Sequence, residues 1–331
     1  MSMITGIKKE IRSYATNLYV NLLNDSNQDY KNTVILAGVG RSGTTWIANT
    51  INYNLEYRQL FEPFNPLSGI INHPDFINPP TYIRPKSNND EYLKIIGEVL
   101  SGTPKSIAID YENFGNRKFT FRKRLVKAIC ANLYLKYIKV NFPEIPIVLI
   151  LRHPCAVAVS RIRRNKILNR KWRLYNPISF CQEHPHLTED YLIDIEEHIK
   201  KIESDFENYI FQWCINNYVP LKQFSENEIH VAFYENFLMK PEFEIRRLFT
   251  FLNKEYNKSL ILEKVKIPSV QALAYSEVSS GFISVNSWKK YVDAHQIKVA
   301  HEILNLFNLD EIYTHDSMPN MNSLREILAN K

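Results

Sequence analysis

Residues 34–52 read VILAGVGRSGTTWIANTIN, and their types and spacing suit the binding of a phosphate-like anion. The apolar run Val34 to Ala37 reads as a buried strand. A turn follows, Gly38-Val39-Gly40-Arg41-Ser42-Gly43, and then Thr44-Thr45-Trp46-Ile47-Ala48 opens a helix. A strand, a tight turn and a helix N-terminus aim several backbone N–H groups at one place, and the helix dipole adds partial positive charge there. Glycines let the backbone approach the anion without a Cβ in the way.

The spacing is close to G-x-x-x-x-G-K-[ST], the P-loop of nucleoside-triphosphate enzymes. Gly38 and Gly43 fit, and so does Thr45. Thr44 stands where the lysine belongs, and the cation comes earlier, at Arg41. The usual lysine reaches the β- and γ-phosphates. A loop without it suits a shorter anion held by backbone, hydroxyls and one flanking cation.

A second anchor lies in IVLILRHPCAVAVSRIRR. The unbroken apolar run Ile147 to Leu151 has the character of a central parallel strand. Arg152 then falls at its carboxyl end, the edge where open α/β sheets collect ligands. Ser160 lies eight residues further on, on the helix expected to follow. An arginine fork with a hydroxyl is a good grip for a second phosphate.

Taken together, these segments resemble the sulfotransferases that use 3′-phosphoadenosine 5′-phosphosulfate (PAPS). GVGRSGTTWI is similar to their 5′-phosphosulfate loop, and Arg152 to Arg161 to their 3′-phosphate motif. Phe233 to Asn253 (FYENFLMKPEFEIRRLFTFLN) resembles their Tyr-Glu-Asp-Leu segment, and Ser287-Trp288-Lys289 is a looser match to a C-terminal motif. The matches run in family order from about residue 33 to 292. The resemblance implies a P-loop-like, three-layer α/β fold with a central, mostly parallel sheet flanked by helices. It also implies that PAPS is the cofactor, leaving adenosine 3′,5′-bisphosphate (PAP), with no metal. Arg41, Ser42, Gly43, Thr44 and Thr45 would hold the 5′-phosphosulfate. Trp46 and Tyr234 would lie near adenine, and Arg152 and Ser160 would hold the 3′-phosphate. The chain departs from the pattern where Asn236 replaces the usual Asp, and where Ser279-Ser280-Gly281 stands near the place of an Arg-Lys-Gly run.

Sulfuryl transfer is an in-line displacement, analogous to phosphoryl transfer. Arg41 can stabilise charge on the leaving phosphate, but guanidinium is a poor general acid. The base should be a carboxylate or histidine beside the loop. Glu62 is the first choice, because Phe61-Glu62-Pro63, about twenty residues after the loop, resembles carbohydrate-directed sulfotransferases, in which this glutamate faces the acceptor. Apolar Phe61 and Phe64 should desolvate it. His73 is a second candidate, and Lys127 could reach the sulfuryl group, although RLVKAICA reads as helical packing with a solvated amine. The acceptor expected is a hydroxyl-bearing carbohydrate or glycan, with a small lipid or phenol still open. Two other readings stay open. One is a P-loop kinase or NTPase with Asp110 as a magnesium ligand. The other is an anion- or nucleic-acid-binding protein using the seven basic residues of Arg161 to Arg173, though no nucleic-acid partner is expected.

The elements that must position these residues follow from the rest of the chain. Its 331 residues are 45% hydrophobic and 12% aromatic, enough for a sizeable core. No apolar run is long enough to span a bilayer. The N-terminus is amphipathic rather than a secretory signal. Four widely spaced cysteines read as reduced thiols in a cytoplasmic protein. The net charge of +6 favours anionic ligands weakly. Residues 1–32 read as an N-terminal helical extension and 33–331 as a single domain. Residues 60–90, rich in Pro and Asn, read as a long irregular wall of the site. Further strands are expected at Ser106 to Asp110 and Ile229 to Phe233. Helices are expected over 121–140, 155–170, 189–225, Pro241 to Leu252, 293–308 and 322–330. Strands alternating with helices imply a parallel sheet covered on both faces.

Overall fold

The computed structural model describes residues 14–77, 81–116, 118–169, 175–265 and 284–329. Its centre is a five-stranded sheet of β1 (Thr33–Gly38), β2 (Tyr57–Phe61), β3 (Lys123–Ala128), β4 (Ile147–Leu151) and β5 (His230–Phe233). The spatial order is β2-β3-β1-β4-β5, and all four pairings are parallel. β1 is thus the centre, with later strands added on either side of it. That is a topological switch point, and its carboxyl edge is where a ligand crevice forms.

Alternate residues of each strand feed two different cores, as the period of two requires. Ile35, Ala37, Val126, Leu149 and Phe233 face one layer, and Val34, Leu36, Leu125, Ile150 and Ala232 face the other. The first layer is built with helices α2 (Asp90–Leu100), α3 (Leu135–Asn141), α4 (Pro154–Leu168), α5 (Asp205–Gln223) and, towards the C-terminus, residues 294–306. The second is built with α1 (Thr44–Ile51), α6 (Tyr234–Met239) and α7 (Pro241–Phe251). The fold is therefore the three-layer α/β arrangement expected. No helix among the described residues is long and apolar enough to cross a membrane. All four cysteines are buried and free.

Some elements differ from expectation. Ser106 to Asp110 is not a strand; Ile107–Asp110 is a helical turn capped by Ser106, whose hydroxyl accepts from the Ile109 N–H. The first half of 121–140 is β3, and only Leu135–Asn141 is α-helical. Leu125, Ile129 and Leu133 have helical spacing, but the slot between β1 and β2 decides the conformation. β2 and α2 were not anticipated. Helix α2 carries a plain start signal, Asn89 accepting from Glu91 and Tyr92 N–H groups, with Asp90 and Glu91 in the first turn.

At the amino edge of the sheet the charged residues are used for structure. Arg58 is fully buried and pairs bidentately with Asp110, at 2.8 and 2.9 Å, and with Asp25 at 2.5 Å. The Asp110 carboxylate is therefore spent on Arg58, at the opposite end of the strands from the phosphate loop, and cannot serve as a magnesium ligand there. Residues 14–22 form a helix that packs Tyr19, Val20 and Leu23 against Phe121.

Candidate active site

The turn from β1 into α1 is shaped by two residues of positive φ. Gly43 is its N-cap, at φ 94°, and Arg41 also has positive φ, at 80°. The loop closes on itself: the Ser42 hydroxyl donates to the Val39 carbonyl at 2.7 Å. Thr44 and Thr45 are buried at the start of α1. Gly43 is required for two separate reasons. Its φ favours glycine, and an added Cβ would lie 2.9 Å from Cε2 of Tyr234 and closer still to Cδ2. Gly69 shares the left-handed conformation, φ 66°, but has open space around it. Gly43→Ala should therefore destabilise the chain by about 2 kcal/mol or more, against about 1 kcal/mol for Gly69→Ala. Denaturant unfolding of both variants measures the difference, and equal losses would remove the Tyr234 contact from the argument.

The second anchor faces the first. Arg152 follows β4, and its Nη1 donates to the Arg41 carbonyl at 3.0 Å. Its guanidinium lies 4.4 Å from the centre of the Tyr234 ring, a cation–π distance. Its Nε is buried without a hydrogen-bond partner, while the residue as a whole is partly exposed. Trp213 on α5 holds the same residue from behind, Nε1 donating to the Arg152 carbonyl at 2.9 Å. Ser160, two turns along α4, accepts from Arg41 Nε at 2.9 Å. Loop cation, serine and second arginine are thus brought together, although Ser160 bonds Arg41 and not Arg152. Trp46 meets Tyr234 edge to face, centroids 5.5 Å apart, and Tyr234 in turn packs against Gly43 of the loop.

The Tyr234-Glu235-Asn236 segment divides its work. Tyr234 covers Gly43. Glu235 is 2% exposed; one oxygen accepts from the His153 N–H at 2.9 Å and the other from the Tyr313 hydroxyl at 2.8 Å. Burial pushes its carboxyl up from the usual range, and these bonds oppose that. Asn236 Nδ2 contacts Met321 Sδ at 3.4 Å. Trp288 stacks on His153 at 4.2 Å, which ties the C-terminal motif to the Arg152 turn. Ser279-Ser280-Gly281 lies outside the described residues, as do residues 170–173 of the basic stretch.

His153 is almost wholly buried, and desolvation brings its imidazole down to about 3. Unfolded, it would titrate near 6.5. Below that pH the unfolded chain gains a proton that the folded chain refuses. This group therefore removes stability as pH falls from 6.5 towards 3, by up to about 1.4 kcal/mol per unit. Unfolding measured between pH 7 and 4 should show a shallower decline in His153→Gln than in the parent. Identical slopes would contradict the burial argument.

Glu62 sits just beyond β2 at φ 50°. The expected apolar surroundings are only part of its environment. Lys127 Nζ donates to its Oε1 at 2.7 Å, and Asn65 Nδ2 to its Oε2 at 3.0 Å. Lys127 is not a solvated helical residue. It lies on β3, 1% exposed in its side chain, 3.7 Å from the Phe61 ring centre, opposite Leu36 of β1 in register. Burial pulls its amine down, and Glu62 opposes that shift. His73 is engaged elsewhere, between Asp75 and Glu91, with Phe76 and Tyr92 edge-on to its ring.

Arg161 ends the 3′-phosphate motif and opens the basic stretch, but the sequence assigned it no role of its own. Its Nε donates to the Gly40 carbonyl at 3.3 Å and its Nη1 to Gln212 at 3.2 Å, so it ties the loop to α5. Its place directly after Ser160 on α4 was the available signal.

Comparison with known proteins gives the family. The chain matches the sulfotransferase domain model over residues 31–317. No curated protein matches its sequence. Among solved structures, mouse sulfotransferase SULT7A1 complexed with PAP is 13% identical, with 93% of this chain and 90% of that one covered and a TM-score of 0.44. Retinol dehydratase in complex with androsterone and inactive cofactor PAP is 16% identical, with 88% and 83% covered and a TM-score of 0.42. A sulfotransferase from Alicyclobacillus acidocaldarius is 14% identical, with 91% and 96% covered and a TM-score of 0.41. With the family model spanning all five strands of the sheet and both anchors of the site, the chain belongs to the sulfotransferase domain family.

Proposed function

We infer that the chain transfers the sulfuryl group of PAPS to a hydroxyl of a carbohydrate acceptor. The observation that carries the reading is Arg152. Its guanidinium touches the phosphate loop through the Arg41 carbonyl, and the residue is partly exposed. Two basic groups at the carboxyl edge of β1 and β4 suit one adenosine bearing phosphates at both 5′ and 3′ positions. When bound, PAPS supplies an activated sulfur with the bisphosphate as leaving group.

Each residue then has a distinct task. Gly43, Thr44 and Thr45 hold the 5′-phosphosulfate with backbone and hydroxyl donors, and Ser42, whose hydroxyl and N–H both donate to the Val39 carbonyl, shapes the loop around it. Arg41 faces the charge left on the 5′-phosphate as its bond to sulfur breaks. Arg152 and Ser160 hold the 3′-phosphate, and Trp46 and Tyr234 border the base. Glu62 removes the acceptor proton as the acceptor oxygen forms its bond to sulfur. Lys127 and Asn65 fix that carboxylate in place. Support for a sugar acceptor is Arg41, the Phe61-Glu62-Pro63 segment, and the partly exposed pair Phe61 and Tyr111, centroids 4.8 Å apart, which offers an aromatic wall beside Glu62.

Incubation with sulfur-labelled PAPS and a panel of glycans, sterols and phenols tests this. Label appearing in a glycan supports the reading in full. Label in a sterol or phenol alone keeps the reaction and refutes the acceptor class. PAP release with no acceptor labelled would refute transfer.

A further inference from the structure

The helix of residues 14–22 buries one face and leaves a row of large apolar side chains on another. Tyr19, Val20 and Leu23 pack on Phe121, and the Tyr19 hydroxyl lies 2.6 Å from the Asn113 carbonyl and 2.7 Å from that of Lys118. That side alone holds the helix to the sheet. Tyr14, Leu18 and Leu22 are instead 74%, 51% and 55% exposed. Their spacing of four sets them in one row along a helix. In the sequence the spacing continues upstream at Ile4, Ile7 and Ile11, interleaved with Lys8, Lys9 and Arg12; these lie outside the described residues.

A basic, aromatic segment lies beside the helix. Asn24 and Asp25 pair in parallel with Thr120 and Phe121, which brings up Lys118, Phe119 and Arg122, all exposed. The Phe119 ring is 47% exposed and its centroid is 5.3 Å from that of Tyr19. Lys118 spends one donor on the Leu55 carbonyl, at 2.9 Å, and keeps its charge at the surface. Lys123 is the one shared with a carboxylate, Glu56 at 3.4 Å. Residues 14–23 and 117–123 contain no acidic residue. A second copy set on this face about a two-fold axis would therefore bring cations to cations. A nucleic acid would meet the cations but offers no hydrocarbon to Leu18 and Leu22. An anionic bilayer supplies both, acyl chains beneath the headgroups for the apolar row and negative charge for the lysines and arginines.

We propose that this face seats the chain on an anionic lipid bilayer, with the helix of residues 14–22 lying in the plane of the headgroups. The face is at the amino edge of the sheet, away from the phosphate loop, so seating and cofactor binding use different ends of the strands. The test is cosedimentation of the full chain with vesicles of phosphatidylglycerol and phosphatidylcholine, against vesicles of phosphatidylcholine alone. Binding should be at least about tenfold tighter to the anionic vesicles and should weaken as salt is raised. Leu18→Gln together with Leu22→Gln should weaken it at least about tenfold. Arg122→Gln should weaken it about fivefold. These positions are exposed, so the midpoint of thermal unfolding should stay that of the parent in both variants. No vesicle binding, equal binding to the two vesicle types, or binding indifferent to the leucine changes would overturn the proposal. So would a parent dimer in sedimentation equilibrium that the leucine changes dissociate, because the face would then be a contact between copies.

Discussion

Glu62→Gln lowers turnover by about 10²–10⁴-fold, the range expected when a positioned general base is removed, and leaves PAP affinity within about twofold. The amide keeps the size of the side chain and can still accept from Lys127, so the local fold persists. It cannot take the acceptor proton. The effect should therefore fall on turnover and not on cofactor binding, because Glu62 touches β3 and Asn65 but no loop residue in the contacts described. Steady-state kinetics with calorimetry on the same samples separate the two. Turnover equal to the parent would remove Glu62 from the mechanism and direct attention to Lys127, the buried amine at its side.

Arg152→Ala weakens PAP by about 10- to 100-fold while changing adenosine 5′-phosphosulfate, which lacks the 3′-phosphate, by less than about threefold. Charge-assisted hydrogen bonds are worth about 1.5–3 kcal/mol each, and 1.4 kcal/mol is a factor of ten. The same change removes the bond to the Arg41 carbonyl and the contact with the Tyr234 ring. Some loss of loop order accompanies it, and the two ligands report that loss equally. Only the difference between them measures the 3′-phosphate contact. Equal weakening would make Arg152 a loop support with no phosphate role.

The site was legible where function compresses into short local patterns. A strand, glycine turn and helix start lie within residues 34–52, and Arg152 with Ser160 lies on one strand-to-helix passage. What joins the patterns could not be read. Arg41 meets Ser160 across 119 residues, Arg161 meets Gly40 across 121, and Lys127 meets Glu62 across 65. Nothing in spacing encodes those contacts; the parallel order of the sheet makes them. Strand β2 was hidden for a related reason. Arg58 and Gln59 interrupt its apolar run, yet both are buried, because Asp25 and Asp110 neutralise Arg58 and Asn113 bonds the Gln59 backbone. Lys127 was misplaced because periodicity does not separate a central strand from a helix over so few residues. Reassignment to β3 changes its chemistry, from a solvated amine to a buried cation that positions a carboxylate.

One calorimetric comparison bears most directly on the claim that a single doubly phosphorylated adenosine joins the two anchors. PAP and ATP with magnesium are titrated separately into the same preparation. The site described here predicts one equivalent of PAP bound without metal, at least about 30-fold more tightly than Mg-ATP, a difference near 2 kcal/mol. Equal affinities, or preference for magnesium-bound ATP, would contradict it.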